Sequence, residues 1–244
     1  MAESPEFDMN IAIIPARGGS KRIPRKNIKL FAGKPIIYYP IKTALASDLF
    51  DSVVVSTDDD EIADLALDYG AKVPFKRCPE LSGDHVPTAP VVLDALQHLI
   101  NSGTKPKQFC CIYPTAVFME SSYLKSGFEL ISRKEVKTAF AVTTFPSPIF
   151  RALRLNSNGF VEMFWEEHLN TRTQDLPLAY MDAGQFYWGK TNPFLKEKEL
   201  YSNRSMPIII PRVLVHDIDT LEDWATAEKI FIALGLNKPF NRTA

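Results

Sequence analysis

Apolar residues along this chain form short continuous runs, which alternate with segments where apolar positions recur at helical spacing. Continuous runs are typical of strands buried on both faces of a sheet, whereas helical spacing indicates amphipathic helices. The predicted strands cover residues 10–15, 52–56, 72–75, 108–113, 138–145, 183–188, 207–210 and 212–216. The predicted helices cover residues 35–47, 58–69, 88–100, 121–133 and 220–234. This alternation predicts an α/β fold with a mainly parallel sheet covered by helices on both faces.

The pattern is interrupted after Phe145. Residues 150–155 and 160–165 flank the turn sequence Asn156-Ser-Asn-Gly159, which predicts a β-hairpin, and the chain then lacks periodicity as far as Pro177. We therefore expect a single domain over residues 9–244 with an inserted arm at about 145–180. Residues 1–8 are polar and precede a second Met, so we expect them to be an expression-vector remnant.

Composition narrows the function classes. The chain has 244 residues, 45% of them hydrophobic, and 28 Lys plus Arg against 29 Asp plus Glu. Such a composition excludes a disordered protein, and the balanced charge argues against nucleic acid as the main partner. Three cysteines lack metal-ligand spacing, and no apolar run approaches the roughly 18 residues of a membrane span. We therefore expect a cytoplasmic protein without a membrane partner.

The segment after the first predicted strand has the character of a phosphate-binding loop. Gly18 and Gly19 allow close approach of the backbone to a ligand, and exposed N–H groups in such a turn attract anions. Five cations stand within ten residues, namely Arg17, Lys21, Arg22, Arg25 and Lys26. The spacing matches neither the P-loop nor the dinucleotide fingerprint. It nevertheless predicts binding of a triphosphate.

A second motif, Asp217-Ile-Asp219, places two carboxylates on one side of an extended segment. Beside a polyphosphate, such a pair suits Mg²⁺. The alternative is helix capping, because Thr220 and Asp223 have the spacing of a capping box, and the sequence leaves both readings open. For the acidic run at residues 58–61, we favour capping of the following helix.

Together, these motifs resemble the acylneuraminate cytidylyltransferases, also called CMP-nonulosonic acid synthetases. The resemblance rests on residues 14–28, Gly33-Lys-Pro35, Val55-Ser-Thr-Asp58 and Asp217-Ile-Asp219, and it spans nearly the whole chain in order. Residues 172–177 and 182–188 are most similar to those of the pseudaminic acid members. The resemblance implies a three-layer, Rossmann-like nucleotide-diphospho-sugar transferase fold with a β-hairpin dimerisation arm. It also implies Mg²⁺-dependent transfer of CMP from CTP to a nonulosonic acid, and a homodimer.

Site residues follow from the same resemblance, position by position. Those expected to bind the nucleotide are Ala16, Arg17, Gly18, Ser20, Lys26, Asn27, Arg77, Val86 and Thr88. Those expected to bind the sugar are Tyr113, Arg172, Gln174, Asp182 and Gln185. The expected catalytic residues are Arg17, Lys26, Asp217 and Asp219, of which the two aspartates would hold the metal.

Two departures bear on the sugar. Members that act on neuraminic acid commonly carry Gln where Tyr113 stands, and Asn-Gly-Ala where this chain has Ala183-Gly-Gln185. Pseudaminic acid is therefore the expected substrate. Synthesis of CMP-N-acetylneuraminate, CMP-legionaminate or CMP-ketodeoxyoctonate stays an alternative, as does a catalytically silent nucleotide-binding relative.

Overall fold

A computed structural model describes residues 8–237, so the expectation for residues 1–8 lies, apart from Asp8, outside the described residues. The strands are β1 (Met9–Pro15), β2 (Leu30–Phe31), β3 (Lys34–Pro35), β4 (Ser52–Ser56), β5 (Pro106–Ile112), β6 (Thr138–Thr144), β7 (Leu153–Leu155), β8 (Val161–Met163), β9 (Tyr180–Lys190) and β10 (Ser205–Ile209). The α-helices are α1 (Tyr38–Ala46), α2 (Asp60–Asp68), α3 (Thr88–Asn101), α4 (Ser121–Ile131), α5 (Thr191–Glu197) and α6 (Leu221–Ala233).

Six strands form one sheet in the order β10-β6-β9-β5-β1-β4. β1 is parallel to both β4 and β5, and β10 is parallel to β6, whereas β9 runs antiparallel to β5 and β6. The predicted mainly parallel sheet is confirmed, with one reversed strand at its centre. Among residues 8–237, no helix has the length and apolar character needed to cross a membrane.

Both faces of the sheet are covered, as the apolar runs predict. In β1, Ala12 and Ile14 belong to the core that includes residues of α1, α4 and α6, while Ile11 and Ile13 belong to the core that includes residues of α3 and α5. All four side chains are inaccessible to solvent. Because alternate strand residues point to opposite faces, this distribution defines a helix–sheet–helix sandwich of three layers.

Two of the predicted strands are wrong. Residues 72–75 make only an isolated parallel bridge between Val54 and Lys72, since Pro74 has no N–H with which to continue a ladder. Residues 212–216 include a 3₁₀ turn at Arg212–Leu214, in which the Leu214 N–H donates to the Pro211 carbonyl at 2.9 Å. This turn leads the chain toward the Asp217 segment.

The predicted helices differ from the structure most clearly at α1 and α5, while the ends of α2, α3, α4 and α6 differ by one or two residues. Helix α1 begins at Tyr38 rather than residue 35, because Lys34–Pro35 instead pairs with Leu30–Phe31 in a small hairpin. The short helix α5 is not predicted, since seven residues are too few for a clear apolar period.

The inserted hairpin is confirmed. β7 and β8 form a separate antiparallel pair, and the Asn156 side chain accepts hydrogen bonds from the N–H groups of Asn158 and Phe160, both at 3.0 Å. Gly159 closes the turn with a φ of 81°, a conformation that glycine adopts without strain. The hairpin exposes large apolar side chains at Leu153, Leu155, Phe160 and Val161.

Candidate active site

A cleft of about 600 Å³ lies at the carboxyl ends of β1 and β5 and is also lined by residues of the segment from Arg77 to Val91. In parallel α/β sheets, this edge is where ligands bind, because the loops that follow the strands converge there. Of the residues predicted from the sequence, those that line the cleft are Arg17, Ser20, Lys26, Asn27, Arg77, Val86, Thr88 and Tyr113. Most of the residues predicted to bind the nucleotide therefore lie in one cleft.

The glycine-rich loop packs tightly against the start of α2. The Gly18 N–H donates to the Asp58 carboxylate at 3.0 Å, and a Cβ atom at Gly18 would lie only 2.4 Å from the nearer Asp59 carboxylate oxygen. A Cβ atom at Gly19 would meet nothing within 4 Å. Gly18 is therefore required by close packing, and neither Gly18 nor the buried Ala16 lines the cleft itself.

The acidic run at residues 58–61 caps a helix, as predicted, and also anchors the basic loop. Asp59 is the N-cap of α2 and accepts from the Ile62 N–H at 3.0 Å. The Arg25 guanidinium donates to Asp59 and, at 2.5 Å, to Glu61. The hydrogen bond from Arg25 holds the pKa of Asp59 below its usual value. Arg25 is thus a structural cation and lies outside the cleft lining.

Lys26 joins the basic loop to the two aspartates. Its Nζ donates to the Ile218 carbonyl at 2.7 Å and lies 3.3 Å from Asp219 Oδ1, while Arg22 contacts Asp219 Oδ2 at 2.5 Å. Ile218 is 1% exposed, so Asp217 and Asp219 flank a buried side chain and both face away from the core. Burial, followed by repulsion from Asp219, raises the pKa of Asp217.

The capping box also forms, but the side chains in it are those of Thr220 and Asp223, not those of Asp217 and Asp219. The Thr220 hydroxyl accepts from the Asp223 N–H at 3.1 Å, and the Asp223 carboxylate accepts from the Thr220 N–H at 2.8 Å. This explains Thr220 and Asp223 and leaves the carboxylate of Asp217 without a hydrogen bond or ion pair among the described residues. Two adjacent carboxylates, one with a raised pKa, fit a divalent cation that takes its other ligands from phosphate and water. Within residues 8–237, no group of three or more His, Cys, Asp or Glu side chains could hold a metal without such help.

Buried polar side chains fix the walls of the cleft. The Arg77 guanidinium donates to the hydroxyl and carbonyl of Ser56 at the end of β4, and to the Leu81 carbonyl at 3.4 Å, and burial lowers its pKa. The Asn27 amide donates to the Arg17 carbonyl at 2.9 Å. Arg77 thereby holds its own loop to the end of β4, and Asn27 holds together the two ends of the basic loop after β1.

One acidic residue of the cleft is not predicted from the sequence. Asp84 contacts Arg17 at 2.6 Å and Lys21 at 2.7 Å, and these hydrogen bonds lower its pKa to about 2. It occupies the kind of position among the loop cations that a phosphate would take. Further lining residues that are not predicted from the sequence are Leu81, Gly83, His85, Val91, Pro114 and Thr115. All of them except Val91, which lies in the first turns of α3, stand in connecting segments, and only that placement could have indicated them.

The predicted sugar residues are more scattered. Tyr113 lines the cleft and shares a 2.8 Å hydrogen bond with Thr88. The Gln185 amide donates to the Leu214 carbonyl at 2.5 Å and is buried under the segment that leads to Asp217. Arg172 and Gln174 lie on the inserted arm, outside the cleft lining of this chain, and Arg172 pairs with Asp175 at 2.6 Å. Asp182 accepts from the Tyr187 hydroxyl at 2.7 Å.

Comparisons with known proteins show the family of this chain. The family model described as cytidylyltransferase matches residues 11–232. A pseudaminic acid cytidylyltransferase from Campylobacter jejuni subsp. jejuni serotype O:2 is 46% identical over 222 residues, which cover 91% of this chain and 96% of that protein. A CMP-N,N'-diacetyllegionaminic acid synthase from Legionella pneumophila is 32% identical over 90% of this chain and 95% of its own length.

A solved structure shows the same fold at much lower identity. The CMP:2-keto-3-deoxy-manno-octonic acid synthetase complexed with CTP superposes with a TM-score of 0.67 at 14% identity, over 93% of this chain and 100% of that one. The predicted three-layer nucleotide-diphospho-sugar transferase fold is thereby confirmed. With a cleft lined by the basic loop at residues 15–27, one of the motifs that carry the resemblance, and a family match over most of its length, the chain belongs to the cytidylyltransferase family.

Proposed function

We propose that this protein transfers CMP from CTP to the anomeric hydroxyl of pseudaminic acid, with release of pyrophosphate. The observation that carries the proposal is the contact of Lys26, which lines the cleft, with the Ile218 carbonyl and Asp219. Asp217 and Asp219 are outside the cleft lining, and this contact holds their segment beside the phosphate-binding loop. The 46% identity to a pseudaminic acid cytidylyltransferase supports the choice of sugar.

In this mechanism, the protein contributes positioning and charge stabilisation. Arg17 and Lys26 bind the triphosphate and stabilise the charge that develops on its oxygens. Asn27 orients the loop, and Arg77 with Thr88 holds the wall where cytidine binds. Asp217 and Asp219 would hold Mg²⁺, which supplies positive charge to the phosphate and to the attacking hydroxyl when bound.

The test is a substrate panel with CTP and Mg²⁺ in which pyrophosphate release is measured. Pseudaminic acid should be turned over with the highest kcat/KM, ahead of legionaminic, N-acetylneuraminic and ketodeoxyoctonic acids. A preference for another acid would change the proposed sugar substrate and keep the proposed transfer of CMP. Binding of CTP without pyrophosphate release from any acid would instead show a catalytically silent relative.

Asp84 competes with the triphosphate for the loop cations, so we expect that removal of its charge strengthens the binding of CTP. Asp84→Asn should lower the Kd of CTP by about three- to tenfold, because Arg17 and Lys21 lose a competing carboxylate at a partly exposed site. Calorimetry at low ionic strength measures the effect, which should shrink as salt is added. Asp60→Asn, which removes a carboxylate paired with Lys76 outside the cleft lining, is the control. Weaker CTP binding by Asp84→Asn would show that this carboxylate assists the nucleotide.

Adjacent glycines in the loop provide a matched pair. Gly18→Ala should raise the KM for CTP at least tenfold, because its Cβ cannot fit 2.4 Å from the Asp59 carboxylate and the loop must move. Gly19→Ala should change this KM less than about twofold in comparison, since open space surrounds that position. Equal effects of the two substitutions on steady-state kinetics would contradict a packing requirement specific to Gly18.

The inserted arm supports a proposal of a homodimer. Its hairpin exposes Leu155 to 71% and Phe160 to 69%, and clustered apolar side chains of this kind mark an interface. Leu155→Asp should therefore convert a dimer into a monomer in light scattering, whereas Leu30→Asp, at a similarly exposed site outside the arm, should not. A wild-type monomer at micromolar concentration would refute the proposal.

A further inference from the structure

All five cations of the basic loop after β1 are paired with carboxylates from other segments of the chain. The pairs are Arg17 and Lys21 with Asp84, Arg22 and Lys26 with Asp219, and Arg25 with Asp59 and Glu61. A phosphate group that binds one of these cations therefore competes with a carboxylate for it. The strength of binding and the speed of release both depend on how easily each carboxylate leaves and returns.

Two of these carboxylate-bearing segments are held by helices. Asp59 is the N-cap of α2 and accepts from the Ile62 N–H at 3.0 Å. The Asp219 N–H donates to the Asp223 carboxylate at 3.2 Å, which ties Asp219 to the first turn of α6. The backbone positions of Asp59 and Asp219 are therefore set by secondary structure.

Asp84 stands instead in a connecting segment, residues 78–86. Within residues 8–237, the hydrogen bonds of this segment run between its own residues or to Arg77, apart from the ion pairs of Asp84. Gly83 and His85, on either side of Asp84, are exposed. Asp84 can therefore leave the loop cations and return without disrupting an α-helix or a strand.

The two oxygens of Asp84 contact different cations. Oδ1 lies 2.6 Å from Arg17 Nη1, and Oδ2 lies 2.7 Å from Lys21 Nζ. The Lys21 side chain is 83% exposed, whereas Arg17 is 29% exposed and also donates to the Gly19 carbonyl at 3.4 Å. Lys21 is thus the freer of the two cations. Asp84 can take Lys21 from a phosphate first and Arg17 second, one ion pair at a time.

Arg17, Lys21 and Asp84 all line the cleft, so this exchange takes place where the substrate binds. In the proposed reaction, the loop cations bind the triphosphate of CTP, and two of its phosphates leave as pyrophosphate. Pyrophosphate keeps the charge of those phosphates, so cations that help to bind CTP also retain the product. A carboxylate of the protein that takes over the same cations counteracts this retention.

We propose that Asp84 is a positioning residue for product release, which acts through Lys21 and Arg17. As pyrophosphate begins to leave, Asp84 pairs with the cations that it frees and thereby prevents it from binding to the loop again. The same carboxylate weakens the binding of CTP, and in return it speeds the departure of the product. The inference deepens the proposed function and rests on it, because that reaction supplies the pyrophosphate.

The first test measures the binding of inorganic pyrophosphate without any sugar. Asp84→Asn should lower both the Kd and the dissociation rate of pyrophosphate by about three- to tenfold, because two partly exposed ion pairs no longer compete with it. Calorimetry gives the Kd, and phosphorus NMR exchange measurements give the rate. Asp84→Glu keeps the charge and should restore a rate close to that of the wild type. Asp60→Asn, whose carboxylate pairs with Lys76 outside the cleft lining, should change neither value.

Cytidine distinguishes competition for charge from a structural change in the cleft wall. Leu81 and Val86 belong to the same connecting segment as Asp84 and line the cleft, so a displaced segment would alter the binding of the nucleoside. Cytidine carries no phosphate that could compete with Asp84 for Arg17 or Lys21. We therefore expect its Ki as a competitor of CTP to stay within about twofold of the wild-type value in Asp84→Asn.

The second test measures product inhibition during turnover. The Ki of pyrophosphate against CTP should fall about three- to tenfold in Asp84→Asn, in step with its Kd. Progress curves of the variant should therefore level off earlier than those of the wild type. Added inorganic pyrophosphatase, which removes the free product, should abolish this early levelling.

The outcomes separate this inference from the proposed function. Wild-type protein that releases no pyrophosphate with any acid of the panel would overturn the proposed function and the role of Asp84 with it. With active wild-type protein, an unchanged rate of pyrophosphate dissociation in Asp84→Asn would overturn the inference alone. An altered Ki of cytidine in Asp84→Asn, or a failure of Asp84→Glu to restore the rate, would also overturn the inference alone.

Discussion

Asp219→Asn and Asp217→Asn each reduce the kcat for formation of the CMP-sugar by at least a hundredfold, on the order of 10³, with little change in the midpoint of urea unfolding. This expected result follows from the place of the two carboxylates, which flank the buried Ile218 and face away from the core. Interactions with charge that develops only in the transition state typically contribute effects of this size.

The electrostatics of the pair give the reason. Asp219 makes ion pairs with Arg22 and Lys26, whereas Asp217 makes none among residues 8–237. Desolvation and repulsion from Asp219 raise the pKa of Asp217, and the charges of Lys26 and Arg22 offset this rise only in part. A divalent cation held by the two carboxylates would reduce this repulsion. Substitution by Asn keeps the shape and discards the charge on which cation binding depends.

Asp223→Asn is the matched control for both variants. Asp223 lies on the same segment, and its carboxylate accepts from the Thr220 N–H of the capping box and from the Asp219 N–H at 3.2 Å, so weakening these bonds should cost up to about 1 kcal/mol of stability. Its kcat should remain within about twofold of wild type, because the amide oxygen of Asn can still accept from both N–H groups and keep the segment in place. Pyrophosphate release over a Mg²⁺ titration measures all three variants. Near-normal turnover by both Asp217→Asn and Asp219→Asn would refute the metal assignment.

The sequence predicts those parts of the site that lie within one contiguous motif. Gly18 and Lys26 stand on the loop directly after β1, and a strand followed by glycines and cations has few other interpretations. The same is true of the sheet, since an apolar run such as that of residues 52–56 can be satisfied only by burial on both faces.

Contacts between distant segments escape this kind of reasoning. Asp84 approaches Arg17 across 67 positions, and Arg25 reaches Asp59 across 34 positions. The sequence shows how many cations a loop carries, but not which of them are already paired with a carboxylate and so less available to a ligand. Strand direction is hidden for the same reason. The pattern of β9 is that of any buried strand, and only its pairing with β5 and β6 reveals that it runs antiparallel.

Lys26→Ala lowers kcat for the same reaction by about 10² to 10³ and raises the KM for CTP less than about tenfold. The Lys26 side chain is 19% exposed and bridges the glycine-rich loop to the Ile218 carbonyl and to Asp219. An ammonium group held in this way is preorganised toward the phosphate oxygens at which charge develops, and such groups lower the barrier more than they strengthen ground-state binding.

Two further variants separate the effect of the Lys26 charge on kcat from the effect of its side-chain packing. Lys21→Ala removes a cation of the same loop whose side chain is 83% exposed, and it should reduce kcat less than about threefold. Lys26→Met keeps the apolar stem and should reproduce the loss of kcat with a smaller loss of stability than Lys26→Ala, because both variants leave the Ile218 carbonyl without its donor but only alanine also leaves a void. Steady-state kinetics with CTP varied at saturating sugar give kcat and KM separately. A large rise in the KM for CTP with an unchanged kcat would make Lys26 a ground-state contact, and the phosphate charge of the transition state would then fall to Arg17.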